Sequence, residues 1–243
     1  MSRRAGMKKA VIIGVGPLDG LGARLCRRFA AEGLHVILAG RTGDRLETVV
    51  KRIRDDGNQA TSVVADATKE EDMLQLFELA GDLDLAIYNA GNNAPGRISD
   101  MDAAYFERAW RVGCYGGFLF GREAVRRMQP RGGGTLLFTG ASASLRGRAN
   151  FGAFNAAKAG LRALAQALAK EYAADGIHVG HVVIDGAIGG EKIHQAAPEY
   201  AEQLGEEGLI SLDGIVEGYV FLYRQPPRAW TFELDVRTSK ERW

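Results

Sequence analysis

Two cysteines in 243 residues, Cys26 and Cys114, are too few to frame a fold with disulfides. Neither stands in a Cys-x-x-Cys pair or a cysteine–histidine cluster, so the spacing of a metal site is missing as well. Charge of one sign is also lacking. The 31 basic and 30 acidic side chains leave a formal charge of +1, which gives no field favouring nucleic acid or a membrane surface. Long apolar runs are absent. The opening MSRRAGMKKA is basic, but the VIIGVG after it is too short and too glycine-rich for a signal-peptide core or a membrane span. No later run approaches membrane length, and these absences together predict a cytoplasmic protein with reduced thiols.

What is present is a composition suited to a packed core, 46% hydrophobic and 25% charged, at a length that favours one domain over residues 1–243. Apolar, strand-like runs alternate with amphipathic, helix-like ones. KKAVIIGVG reads as a buried strand and LGARLCRRFAAEG as a helix closed by Gly33; HVILAG is the next strand, and GDRLETVVKRIRDDG a helix ending at Gly57. TSVVADA, DLDLAIYNAG, GGGTLLFTGA, HVGHVVIDGA and RAWTFELDVR continue the strands. Between them lie helical stretches, including a long one over 103–128 that GCYGG weakens in the middle, and another in AFNAAKAGLRALAQALAKEYAADG. This alternation predicts right-handed βαβ units on a parallel sheet, an α/β fold with helices on both faces. Ligands of such a sheet bind beyond the carboxyl ends of its strands, which points to residues 14–22, 40–41, 66, 89–91, 139–144 and 185–190.

The first of these segments, GVGPLDGLG, follows the first strand and opens a helix at Leu21. Glycines there let the backbone approach a pyrophosphate, whose charge the helix N-terminus stabilises; Asp19 places an opposing negative charge nearby. At the end of the second strand, a carboxylate would hydrogen-bond a ribose 2′-hydroxyl. LAGRT instead puts Gly40 at that place and Arg41 after it, and an arginine fork suits a 2′-phosphate, so NADP(H) is expected over NAD(H). Asp66, beside Ala67 at the end of the third strand, reads either as an acceptor for the adenine amino group or as a helix cap.

These residues, with YNAG at 88–91, SLRG at 144–147, Lys158 in its helix and the strand that follows, resemble the short-chain dehydrogenase/reductase family from about residue 8 to 237. The resemblance implies a Rossmann-type doubly wound parallel sheet of about seven strands. It implies that Gly14, Gly16, Gly20, Leu21 and Gly22 hold the pyrophosphate, and that Asn89, Ala90 and Gly91 line the cofactor. Lys158 would hold the nicotinamide ribose, with Gly186 and Ile188 completing the cofactor site. A homodimer or homotetramer and a small-molecule substrate are implied as well. The departures are equally specific: the family's catalytic serine, tyrosine and asparagine fall on Ala141, Phe154 and Gly113, and Asp185-Gly186 replaces the usual Pro-Gly.

Of the catalytic set only Lys158 remains. Phenylalanine cannot transfer a proton, and losing a general acid costs about 10²–10⁴ in rate. Three replacements fit the sequence. A polar group, Ser142, Ser144 or Asp185, polarises the substrate, although these also read as turn formers. Lys158 or a bound water supplies the proton. Or the substrate needs no strong acid, as with a protonated imine or an activated alkene. His178 and His181, flanking the sixth strand, read as structural groups; His194 lies in a following loop, and Cys114 and Tyr115 sit beside the asparagine position. Residues 230–232 read as a packed last strand, and residues 188–210 as a substrate lid. The expectation is an NADP(H)-dependent reductase acting on a small carbonyl, imine or activated alkene with a non-standard proton donor. The alternatives are a non-catalytic NADP(H)-binding regulatory or partner protein on the same fold, and a structural subunit that binds no nucleotide.

Overall fold

The computed structural model describes residues 7–91, 93 and 95–241. Its strands are β1 (Lys9–Ile13), β2 (His35–Gly40), β3 (Ala60–Val64), β4 (Leu85–Tyr88), β5 (Gly134–Thr139) and β6 (Ile177–Ile184). Two-residue strands β7 (Ile188–Gly189) and β8 (Ile210–Ser211) and a last strand β9 (Glu233–Val236) complete the set. Seven strands form one sheet in the order β3-β2-β1-β4-β5-β6-β9, and every neighbouring pair is parallel. A parallel sheet is covered on both faces, which is why β4 and β6 are buried throughout, β4 as an apolar run and β6 as one interrupted by His178, Gly180 and His181.

The covering helices are α1 (Leu21–Ala31), α2 (Gly43–Asp55), α3 (Glu70–Ala80), α4 (Ala103–Trp110), α5 (Gly116–Met128), α6 (Gly152–Tyr172), α7 (Glu191–Ala196), α8 (Pro198–Gly208) and α9 (Leu212–Arg224). One face is packed by Leu25 and Phe29 of α1, Leu46 and Val50 of α2, and Ile215 and Tyr219 of α9. The other is packed by Leu76 and Phe77 of α3, Phe120 of α5, and Leu161 and Leu168 of α6. The strand order reverses between β1 and β4, and the crevice at that switch point is where such a sheet accepts a ligand.

The helical stretch over 103–128 is continuous in direction but not in type, because Arg111–Tyr115 forms one turn of π-helix between α4 and α5. The fully buried Tyr88 hydroxyl donates to the Val112 carbonyl inside that turn at 2.5 Å. A buried phenol needs an acceptor, and the widened turn presents one. Residues 188–210, expected as a loop, contain α7 and α8, with Gly205 breaking the helical path of α8 at φ +63°. Pairing of β7 with β8 pins the base of this segment. The final strand is shorter than RAWTFELDVR suggests: Pro227–Ala229 is a 3-10 turn, and Trp230 stacks on His178 with ring planes 2° apart. Among the described residues no helix is long and apolar enough to cross a membrane.

Candidate active site

The first loop is built by close backbone approach. Gly14 has φ +88°, and a Cβ there would lie 2.4 Å from the Ala90 nitrogen. A Cβ at Gly22, on the first turn of α1, would lie 2.7 Å from the Gly14 carbonyl oxygen, whereas at Gly16 it would meet only open space. The loop therefore packs tightly on its protein side and stays open where a pyrophosphate could approach the amide groups at the start of α1, beginning at Gly20 and Leu21. These residues fit a dinucleotide. Asp19 does not weigh against this: its carboxylate pairs with Arg24 at 3.1 Å, and Arg24 also meets Asp213.

At the end of β2, a Cβ on Gly40 would lie 2.5 Å from the Val15 carbonyl oxygen, so no acidic side chain can occupy this position. Arg41 beside it is exposed and makes no hydrogen bond or ion pair with any described residue. Across from it, Asp66 accepts at Oδ1 from the Thr68 nitrogen (2.9 Å) and hydroxyl (2.8 Å). Burial acts to raise the Asp66 pKa, but these bonds, aided by the Arg41 and Lys69 charges, leave it lowered. Oδ1 thus closes a turn ahead of α3, and Oδ2 remains open to a ligand. Ala67 is buried beneath, its carbonyl against Gly116.

One hydrogen-bonded chain ties the ends of β1, β4 and β5 together. Asn89 Nδ2 donates to the Gly14 carbonyl at 3.1 Å, and Asn89 Oδ1 accepts from Thr139 Oγ1 at 3.0 Å. Since that donation uses the only hydroxyl proton of Thr139, the buried Tyr219 hydroxyl must be the donor in its 2.6 Å contact with Thr139 Oγ1. The Thr139 carbonyl then accepts from Lys158 Nζ at 2.7 Å. Lys158 is only 4% exposed, stands 3.4 Å from where a Gly91 Cβ would be, and faces the Phe154 ring with Nζ 5.9 Å from its centroid. Burial, helped by the Lys192 charge on α7, lowers its pKa to about 8.

The positions without catalytic groups are filled rather than hollow. At Gly113 a Cβ would lie 2.6 Å from the Ala157 methyl, so α6 packs against the π-turn where an asparagine would project. Ala141 is half-buried, and its nitrogen donates to the Ser144 hydroxyl at 3.2 Å. Ser144 is therefore a buried turn former whose oxygen is taken up by the Ala141 amide. Ser142 is half-buried and its hydroxyl bonds to no described residue, which leaves it available.

Asp185 lies in a buried ion pair. Its carboxylate is 1% exposed and receives Arg146 Nη2 on both oxygens at 2.8 and 2.9 Å, with Arg237 Nη2 at 3.6 Å. A carboxylate held by two guanidinium groups is engaged in ion pairing on both oxygens and turned away from an open cleft. Sequence reasoning passed over Arg146 although SLRG contains it; the signal was an acid in place of Pro-Gly at the end of β6, which needs a cation when buried. Beyond Asp185, Gly186 (φ +151°) is exposed and Ile188 begins β7. The Glu191 nitrogen donates to the Asp19 carbonyl at 2.9 Å, docking the start of α7 on the first loop.

The two strand histidines are half-satisfied. His178 Nε2 meets the Thr231 carbonyl at 2.9 Å and His181 Nδ1 meets Glu233 at 2.9 Å, while His178 Nδ1 and His181 Nε2 are buried with no partner among the described residues. Burial lowers the His181 pKa to about 4 despite the Glu233 hydrogen bond. Its ring lies under Gly140, where a Cβ would be 2.3 Å from Nε2. His194 is exposed on α7, and Cys114 is half-buried against Gly160.

The family model for short chain dehydrogenase matches residues 8–191. Sorbitol-6-phosphate 2-dehydrogenase of Escherichia coli (strain K12) is 33% identical over 219 residues, covering 87% of this chain and 82% of that protein. An uncharacterized oxidoreductase of Bacillus subtilis (strain 168), YuxG, is 32% identical over 196 residues; the match takes in 78% of this chain but spans only 28% of that longer relative. Among solved structures, a short-chain dehydrogenase from Rhodopseudomonas palustris superimposes with a TM-score of 0.81 at 33% identity, over 95% of this chain and 98% of that one. The chain belongs to the short-chain dehydrogenase family of nicotinamide-dependent oxidoreductases.

Proposed function

We propose that the protein is an NADP(H)-dependent reductase that delivers hydride to a small carbonyl, imine or activated alkene, with Lys158 as its proton donor. Gly14, Gly16, Gly20, Leu21 and Gly22 hold the pyrophosphate, and Asp66 Oδ2 accepts from the adenine. Ala67, Asn89, Ala90, Gly91, Gly186 and Ile188 line the remainder of the cofactor. The choice of NADP(H) is supported by Arg41, a guanidinium suited to a 2′-phosphate and without a partner among the described residues, and by Gly40, where a Cβ would meet the Val15 carbonyl and so bar the competing acid. The nicotinamide supplies the hydride, and orientation is the protein's share of that step.

The observation that carries the proposal is the Lys158 ammonium. The Phe154, Ala141 and Gly113 side chains have no proton to transfer, Ser144 Oγ closes the turn at Ala141, and both Asp185 oxygens are taken up by Arg146. Lys158 remains as a buried acid with a pKa of about 8, near the pH at which a general acid works best. The Thr139 carbonyl fixes Nζ beside the Phe154 ring, and that ring offers the substrate an apolar wall. Ser142 is the remaining hydroxyl that could orient the substrate. Residues 188–210 form the lid, supported by the β7–β8 base and the break at Gly205.

The test combines fluorescence titration with NADPH and NADH and a screen of NADPH oxidation against ketones, imines and enones, for the native protein and Lys158→Met. The reading requires tighter binding of NADPH, turnover in the native protein, and loss of about 10²–10⁴ in rate in the variant. Binding without turnover in any class would instead identify a protein that holds NADP(H) without using it.

A further inference from the structure

Resting on that reading, we infer that Arg146 is the substrate-recognition residue and that the substrate carries an oxyanion, a carboxylate or a phosphate ester. Arg146 stands on the turn that follows β5. Its nitrogen is held by the Ser142 carbonyl (3.1 Å), and its own carbonyl accepts from Asn155, the residue after Phe154 (2.6 Å). Its backbone is therefore part of the wall that carries Ala141, Ser142 and Phe154. From there the side chain crosses to the end of β6, where Nη2 meets both Asp185 oxygens. Both strand ends border the crevice in which a ligand of this sheet sits.

The two partners differ in exposure. The Asp185 side chain is 2% exposed and that of Arg146 41%, so the pair presents its cation to the solvent side and hides its anion. Asp185 is backed by Arg237, which also pairs with Asp235, so a second cation offsets the buried acid. Nη2 is the only Arg146 nitrogen that Asp185 engages; Nε and Nη1 donate to no described residue. A guanidinium oriented by a carboxylate behind it, with N–H groups left over, is pre-arranged for a carboxylate or phosphate in front. Lys192 on α7 is near enough for its positive charge to act on Lys158. A keto acid or phosphorylated ketone would then lie with its anion on Arg146 and its reducible carbon toward Lys158.

The test compares charged and neutral members of two pairs, benzoylformate with its methyl ester and dihydroxyacetone phosphate with dihydroxyacetone. Each is titrated calorimetrically into the protein with and without NADPH and assayed for NADPH oxidation. In at least one pair the charged member should bind about 10–100-fold more tightly, the range of a charge-assisted hydrogen bond, and which pair responds distinguishes carboxylate from phosphate. Removing Arg146 alone would leave Asp185 buried with only its distant second partner, so the variant is Arg146→Met/Asp185→Asn. It should bring the two dissociation constants of that pair together while NADPH still binds. Equal binding of charged and neutral members in both pairs of the native protein overturns the inference, as does a preference that survives in the double variant. Absence of turnover alongside selective anion binding defeats the reductase reading and leaves this inference standing.

Discussion

Lys158 Nζ donates to the Thr139 carbonyl at 2.7 Å, and Thr139 donates through Oγ1 to Asn89 at 3.0 Å. One residue of β5 thus couples the proposed proton donor to the asparagine that braces the first loop. The ammonium has a fixed place with no tyrosine beside it, and its burial gives it an acidity suited to neutral pH.

That burial has a cost in stability with a definite sign. The Lys158 pKa is lowered from 10.5 to about 8 in the folded chain, so between those values the unfolded chain holds more protons and stability rises with pH. Lys158→Met should make the cofactor-free protein more stable at pH 7 by about 1–2 kcal/mol, part of the charge-burial gain being offset by the lost Thr139 bond. The difference should shrink between pH 8 and 10. Urea melts at pH 7 and pH 10 check this; a less stable variant at pH 7 would contradict it.

His181 predicts the acid side. Its pKa is about 4 in the fold against 6.5 for an ordinary imidazole, so stability is full above pH 6.5 and falls as the pH drops from 6.5 toward 4. The loss is about 3 kcal/mol for one group shifted by that much. His181→Phe should flatten this part of the curve, measured as melting temperature against pH. An unchanged slope would show that the imidazole is not buried neutral.

Cofactor preference rests on two adjacent residues. Arg41→Ala should weaken NADPH by about 10–100-fold and leave NADH nearly unchanged, as expected for loss of charge-assisted bonds to a phosphate. Gly40→Ala should destabilise the fold by about 1–3 kcal/mol, because its methyl meets the Val15 carbonyl. Equal weakening of both nucleotides by Arg41→Ala would remove the argument for NADPH.

The fold was legible because parallel strands buried on both faces appear as apolar runs, and because Gly33 and Gly57 mark where α1 and α2 stop. The π-turn was not, since it depends on a Tyr88 phenol 24 residues away finding the Val112 carbonyl. α7 was hidden by its six-residue length, and α8 by its acidic sequence and the break at Gly205. At the site, the glycine loop and Lys158 could be read locally. The role of Asp185 could not, because it is set by Arg146, 39 residues distant in the chain, and only the fold brings them together.

The most direct measurement is the pH profile of NADPH oxidation by the native protein, with Phe154→Tyr alongside. Lys158 must be protonated to act as the acid, so the account predicts turnover by the native chain that is level below pH 8 and falls as pH rises through about 8. Tight NADPH binding with no native turnover at any pH, and turnover only in Phe154→Tyr, would contradict it.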